Sequence, residues 1–179
     1  RLHQEAQQSM EDIRARIDQH SPRHPRTGPK VTIAIMGSGS AEKDQRTLDS
    51  CASQTYEDAE VLLIDAHPQA SATARLQEAI TSARGEYLTW VDGGDWFADD
   101  AVDCLVSLLE SEPHWDVMYA DYYAMNESNL PQGYHTVPGS EKLFRRDVVG
   151  PFFLLRKSLF SRLWASAAWM MFSSFACSL

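Results

Sequence analysis

Three short apolar runs, VTIAIM at 31–36, AEVLLID at 59–65 and EYLTWV at 86–91, are separated by segments long enough to hold one helix each. Runs of this length, rich in β-branched and aromatic residues, suit strands buried on both faces. The first gap holds AEKDQRTLDSCASQ, a helix expected to turn Leu48, Cys51 and Ala52 inward. The second holds a helix over about 70–84 with Leu76, Ile80 and Ala83 inward, and Gly85 stands where a C-cap glycine belongs. Parallel strands need crossovers of this kind, so the order strand, helix, strand, helix, strand implies an α/β fold, a Rossmann-like, mostly parallel sheet flanked by helices.

The pattern continues with ADDAVDCLVSLLES, a third helix carrying Asp99 and Asp100 in its first turn, and with DVMYADYY (116–123) as a fourth strand. A long polar loop and then FFLLRKSLFSRL follow. Residues 2–19 place Leu2, Ala6, Met10, Ile13 and Ile17 on one stripe of an amphipathic helix, and SPRHPRTGPK after it reads as a stiff linker. From Leu163 to Leu179 there is no charged residue, and Arg156, Lys157 and Arg162 stand just before. That run is shorter than the roughly 20 apolar residues of a membrane span. It is read as a buried or loosely packed segment, an interfacial helix at a membrane surface, or a truncated end. The chain therefore divides into a helix and linker at 1–29, a globular unit at 30–163 and an apolar segment at 164–179. Both flanking segments offer apolar surface for self-association.

With 179 residues, 44% hydrophobic and 23% charged, the chain can bury one core of ordinary size. Its net charge of -9 argues against a nucleic-acid partner, which calls for clustered Lys and Arg. A phosphorylated ligand would then be neutralised by a metal or by backbone N–H groups. Cys51, Cys104 and Cys177 show no paired spacing and are expected as free thiols. With a polar beginning that lacks a signal-peptide pattern, they point to the cytoplasm, and the apolar end allows for the inner face of a membrane.

In sheets of this kind ligands lie beyond the carboxyl ends of the strands. Gly37 to Ser40, Asp65, and Asp92 to Asp95 all fall there. Two carboxylates on one loop suit a hard divalent cation such as Mg²⁺ or Mn²⁺, which accepts carboxylates together with a substrate's phosphates. Gly93 and Gly94 free the backbone to bring Asp95 back towards Asp92. The same residues also read as a plain turn in which Asp95 caps a helix near Ala98. GSGS, lacking the context of a phosphate loop, reads as a turn, and His67 as a turn residue. Trp90 is expected in the core, and Trp96 at the rim, where it could stack on a base or sugar.

Gln54, Thr55, Tyr56, Glu60, Val61 and Asp65, followed by Ala83, Gly85, Glu86, Tyr87, Asp92 and Asp95, resemble in order and spacing the signature blocks of the family 2 glycosyltransferases with the GT-A fold. FLLRKSLFSRL at 153–163 is similar to the segment before that family's acceptor site, so the resemblance covers about residues 30–163. It implies a nucleotide-diphosphate sugar as donor, most simply a UDP-sugar, and transfer to an acceptor with inversion. Asp65 would lie by the base or ribose, and Asp92 and Asp95 would hold Mn²⁺ or Mg²⁺ against the diphosphate. The chain departs from the family pattern at IMGSGS, at DAHP, where Ala66 replaces a carboxylate, and at Gly94, where the metal motif has a further Asp. Aligned without a gap, Leu76, Gln77 and Ala79 stand where the family has Arg, Asn and Gly. The later acidic motif that carries the family's base does not occur before Leu179, which leaves Asp121 as the candidate base and makes the acceptor region look truncated. Two other readings stand beside an active transferase: an inactive GT-A-like binding or scaffolding module, and another nucleotide-binding α/β protein.

Overall fold

The computed structural model describes residues 28–67, 69–126, 128, 130–137 and 151–164. The amphipathic helix, most of the linker and the apolar segment after Trp164 lie outside the described residues. The elements in chain order are β1 (Val31–Met36), α1 (Ala41–Ala52), β2 (Ala59–Ile64), α2 (Ala72–Ser82), β3 (Tyr87–Asp92), α3 (Ala101–Ser111), β4 (Val117–Tyr119), β5 (Tyr122–Met125), β6 (Pro131–His135), β7 (Phe153–Arg156) and α4 (Ser158–Trp164).

The main sheet has the order β2-β1-β3-β7-β4. Its first three strands are parallel, whereas β7 runs antiparallel to both β3 and β4. β5 and β6 form a separate antiparallel ribbon. Alternation along β1 and β3 divides the core in two. Val31, Ile33, Ile35, Tyr87 and Val91 pack with Cys51 of α1 and with Val102, Leu105, Val106 and Leu109 of α3. Ala34, Met36 and Leu88 pack on the other face with Leu76 and Ile80 of α2 and Phe160 of α4. The class is α/β, a mostly parallel sheet flanked by helices. Among the described residues no helix is long and apolar enough to cross a membrane.

Four local expectations are corrected. α1 buries Thr47 and Cys51, while Leu48 is 38% exposed and Ala52 faces solvent, so the helix is turned by one residue from its apolar reading. Gly85 does not cap α2, which ends at Ser82 with Ala83 in the C-cap position. Instead it is buried against β1, where a Cβ would come within 2.6 Å of the Thr32 nitrogen and 2.7 Å of the Lys30 oxygen. The expected fourth strand breaks after Tyr119, and its second half joins the ribbon. Finally, α3 begins at Ala101; Asp100 takes the N-cap position and Asp99 accepts from Ser53 Oγ at 3.0 Å, so neither lies within the first turn. β2 is also less buried than its sequence suggests, with Leu63 55% exposed, because it is the edge of the sheet.

Glu60 ties that edge to its neighbours. Its carboxylate accepts from Thr32 Oγ1 (2.6 Å), from the Arg84 backbone N–H (2.6 Å) and from Arg84 Nε (2.8 Å). Burial alone would raise its pKa; the hydrogen bonds from Thr32 and Arg84 and the Arg84 charge outweigh that and leave it at about 2. A carboxyl held below its unfolded pKa of about 4.3 stabilises the fold fully above that pH, and the contribution is lost as pH falls through the folded value. Glu60→Gln is expected to cost about 2 kcal/mol at neutral pH, a figure discounted for the exposed Arg84, with the difference from wild type shrinking as the pH drops from about 5 to 2. Urea unfolding of both proteins across that range checks it.

Candidate functional site

β1 and β3 end level with each other, Met36 opposite Asp92, so the turns that follow them meet at the carboxyl edge of the sheet. The turn after β1 is anchored by Asp44 of α1, whose Oδ1 accepts from the Ser38 backbone N–H (2.8 Å) and from Ser38 Oγ (2.7 Å). The turn after β3 lies directly beneath that carboxylate. A Cβ on Gly93 would fall 1.9 Å from Asp44 Oδ1 and 2.9 Å from the Ser38 nitrogen, so the approach requires a glycine. Gly93 N–H donates to the Met36 carbonyl at 2.9 Å, and Asp95 N–H donates to the Asp92 carbonyl at 3.0 Å. Gly94 stands at φ +109, outside the range comfortable for residues with a Cβ.

These turns border an open cleft of about 370 Å³, whose walls include Ser38, Ala66, His67, Arg75, Asp92 and Gly93. Arg75 reaches it from α2. Its Nη2 donates to the Gly37 carbonyl (2.8 Å) and the Ile64 carbonyl (3.2 Å), and its Nε is buried without a hydrogen-bond partner. A larger groove of about 590 Å³ lies near the amino end of β3, against α4. Its two cations are spent on backbone carbonyls: Lys157 on Ala83 and Arg156 on Leu109 and Trp115. The smaller cleft, whose lining includes an exposed carboxylate, is therefore the candidate site.

Of the residues singled out from the sequence, Asp92 lines the cleft as the exposed last residue of β3. Asp95 stands beside it. Withdrawal from water and then the negative charge of Asp92 raise the Asp95 carboxyl pKa above its ordinary value. Asp65 is exposed just before Ala66, and its carbonyl accepts from His67 N–H at 2.9 Å. Trp96 is 37% exposed and carries the Arg46 guanidinium 3.6 Å from its ring centroid, so one of its faces is taken. Trp90 packs edge-on against Phe153 in the core. Asp121 does not line the cleft. It follows β4, two strands over from β3, and accepts from Tyr134 Oη (2.5 Å) and Val137 N–H (2.8 Å) at the ribbon.

The reading from residue types missed Asp44, Thr47 and Arg75. Arg75 sits one residue ahead of the Leu76 that an ungapped comparison puts in the place of the family's arginine, so a one-residue shift would have found it. Thr47 gave no such signal, because what it holds lies near residue 94, and Asp44, which holds Ser38, reads as one more acid on a polar helix face.

Two carboxylates close enough to repel form a donor set that suits a hard divalent cation, provided phosphate and water oxygens complete its shell. Among the described residues no group of three or more His, Cys, Asp or Glu side chains gathers as a metal site. The residues present thus fit a cation shared with a phosphorylated ligand, and they do not form a closed protein cage.

No protein-family model and no curated protein matches this chain. Solved structures do. S. aureus TarS (residues 1–349), in complex with UDP-GlcNAc, matches with a TM-score of 0.55 and 15% identity, over 74% of this chain and 47% of its own. The mannosyltransferase PcManGT of Pyrobaculum calidifontis, in complex with GDP-Man and Mn²⁺, matches with a TM-score of 0.55 and 17% identity, over 86% of this chain and 53% of its own. This chain thus spans about half the length of those two solved chains. Identity this low establishes a glycosyltransferase-like fold and leaves the chemistry to be argued from the residues.

Proposed function

We propose that this chain is the donor-binding part of a family 2 glycosyltransferase, taking a nucleotide-diphosphate sugar at the carboxyl edge between β1 and β3. The observation that carries the reading is the pair Asp92 and Asp95, held on one turn at the rim of a fold shared with solved glycosyltransferases. Asp92 and Asp95 would hold Mn²⁺ or Mg²⁺ together with the donor's phosphates. Bound there, the cation would offset charge developing on the departing nucleoside diphosphate. The walls at Ala66 and His67, with Asp65 just before them, would border the nucleoside, and the remaining face of Trp96 would be available to a ring. Arg75 adds positive charge to the cleft wall. Both oxygens of Asp121 accept hydrogen bonds at the ribbon, so we assign Asp121 to anchoring it, and removal of the acceptor's proton to no described residue.

A second reading, a binding module without catalysis, is favoured by Gly94, which puts a glycine at φ +109 where the family motif has a carboxylate. Calorimetric titration of the whole chain with UDP and GDP, with and without Mn²⁺, separates the two. Binding that needs Mn²⁺ is expected. Silence at millimolar nucleotide in both conditions defeats the donor-site reading and leaves the module.

A further inference from the structure

Thr47 is fully buried on α1, and its hydroxyl meets the acidic turn at two points. Oγ1 lies 2.6 Å from the Asp95 carbonyl oxygen, 2.8 Å from the Gly94 nitrogen and 3.3 Å from the Lys43 carbonyl oxygen. A hydroxyl has one proton to give and lone pairs to receive. The shorter distance sends the proton to Asp95, and the Gly94 N–H donates to the oxygen. One atom therefore holds both ends of the Gly94–Asp95 dipeptide from a helix 48 residues earlier in the chain.

The turn needs such a hold. Two consecutive glycines have wide conformational freedom, and Gly94 is kept at φ +109, one of several conformations open to it. The Asp95 side chain leaves the main chain from that backbone, so its direction follows from how the dipeptide is fixed. We infer that Thr47 is a positioning residue of the donor site: its hydroxyl sets the backbone from which Asp95 projects, and with it the spacing of Asp92 and Asp95 on which cation binding depends. The inference rests on the function proposed above. The other charged groups around the turn, Lys43 and Asp44 of α1 and Asp92 of β3, are untouched by substitution at Thr47.

Thr47→Val keeps the shape and removes the hydroxyl; Thr47→Ser keeps the hydroxyl and removes a methyl group. A residue that merely satisfies two buried backbone groups would affect thermal stability and nothing else. Two further readouts separate the roles: the Mn²⁺ dissociation constant in the presence of UDP, and the titration of the Asp95 carboxyl followed by carbon NMR without metal. In folded Thr47→Val, Mn²⁺ affinity is expected to fall by about 10-fold or more, as for loss of a group that orients a ligand. Its Asp95 midpoint is expected to differ from wild type, whereas Thr47→Ser stays close to wild type in both. Wild-type behaviour of Thr47→Val in both readouts, or equal defects in the two variants, overturns the inference. Thr47→Cys, whose thiol bonds weakly, serves where Thr47→Val does not fold. If the wild-type chain takes up no Mn²⁺ with UDP, the donor-site reading falls, and the Asp95 titration still decides whether Thr47 positions that carboxyl.

Discussion

Asp92→Asn is expected to abolish Mn²⁺-dependent binding of a nucleoside diphosphate, lowering affinity by roughly 100-fold or more, beyond the loss typical of a supporting group. Asp92 lies exposed at the end of β3, so the substitution leaves the core packing intact and the melting temperature nearly unchanged. The same variant makes a second change that needs no metal. The Asp95 carboxyl is raised first by its withdrawal from water and then by the charge of Asp92. Neutralising Asp92 removes the repulsion, favours the ionised form and moves the Asp95 midpoint down. Calorimetry and carboxyl NMR read the two effects independently. Undiminished Mn²⁺ and UDP binding by Asp92→Asn would show that the paired acids are not the cation site.

The largest loss of stability is expected at a residue remote from the cleft. Gly85→Ala puts a Cβ 2.6 Å from the Thr32 nitrogen and 2.7 Å from both the Lys30 oxygen and Thr32 Oγ1. The first two are backbone atoms of β1 and the residue before it, so no side chain can swing aside. The shift would also disturb the Gly85 N–H to Thr32 Oγ1 hydrogen bond and, through Thr32, the Glu60 cluster. A cost of about 3 kcal/mol or more is expected, and with it a fall in Tm of roughly 6–12 °C for a chain of this size. Gly133→Ala is the control. Its Cβ would meet nothing nearer than His135 Nε2 at 3.6 Å, an ordinary contact, and its Tm should move little. Equal melting of the two variants would contradict the packing described at Gly85.

Much of the architecture was legible because it rests on local patterns. The β-branched run at Val31–Met36 is a strand from first residue to last, and the inward stripe of Leu76, Ile80 and Ala83 is buried as read. The failures share one cause, long-range contact overriding local pattern. α1 turns the polar Thr47 inward and leaves Leu48 partly exposed, because the turn beyond β3 needs a hydroxyl at that point. Gly85 looked like a helix cap because capping is a local habit of glycine, whereas here it makes room for a neighbouring strand. The site was half legible for the same reason. Asp92 and Asp95 announce themselves by type and spacing. Asp44 and Arg75 belong to helices, and helical positions reveal their partners after the chain has folded.

The backbone at Gly94 also bears on how the sequence can change. A side chain there would find room, since the nearest atoms to an added Cβ belong to Lys43 at 3.5 Å or more. What forbids it is the φ of +109, which penalises any residue but glycine. Placing aspartate at that position therefore takes more than a change of side chain. The peptide would have to flip, which gives up both bonds to Thr47, before a third acid could face the cleft. A third acid on this turn therefore demands a changed backbone as well as a changed side chain.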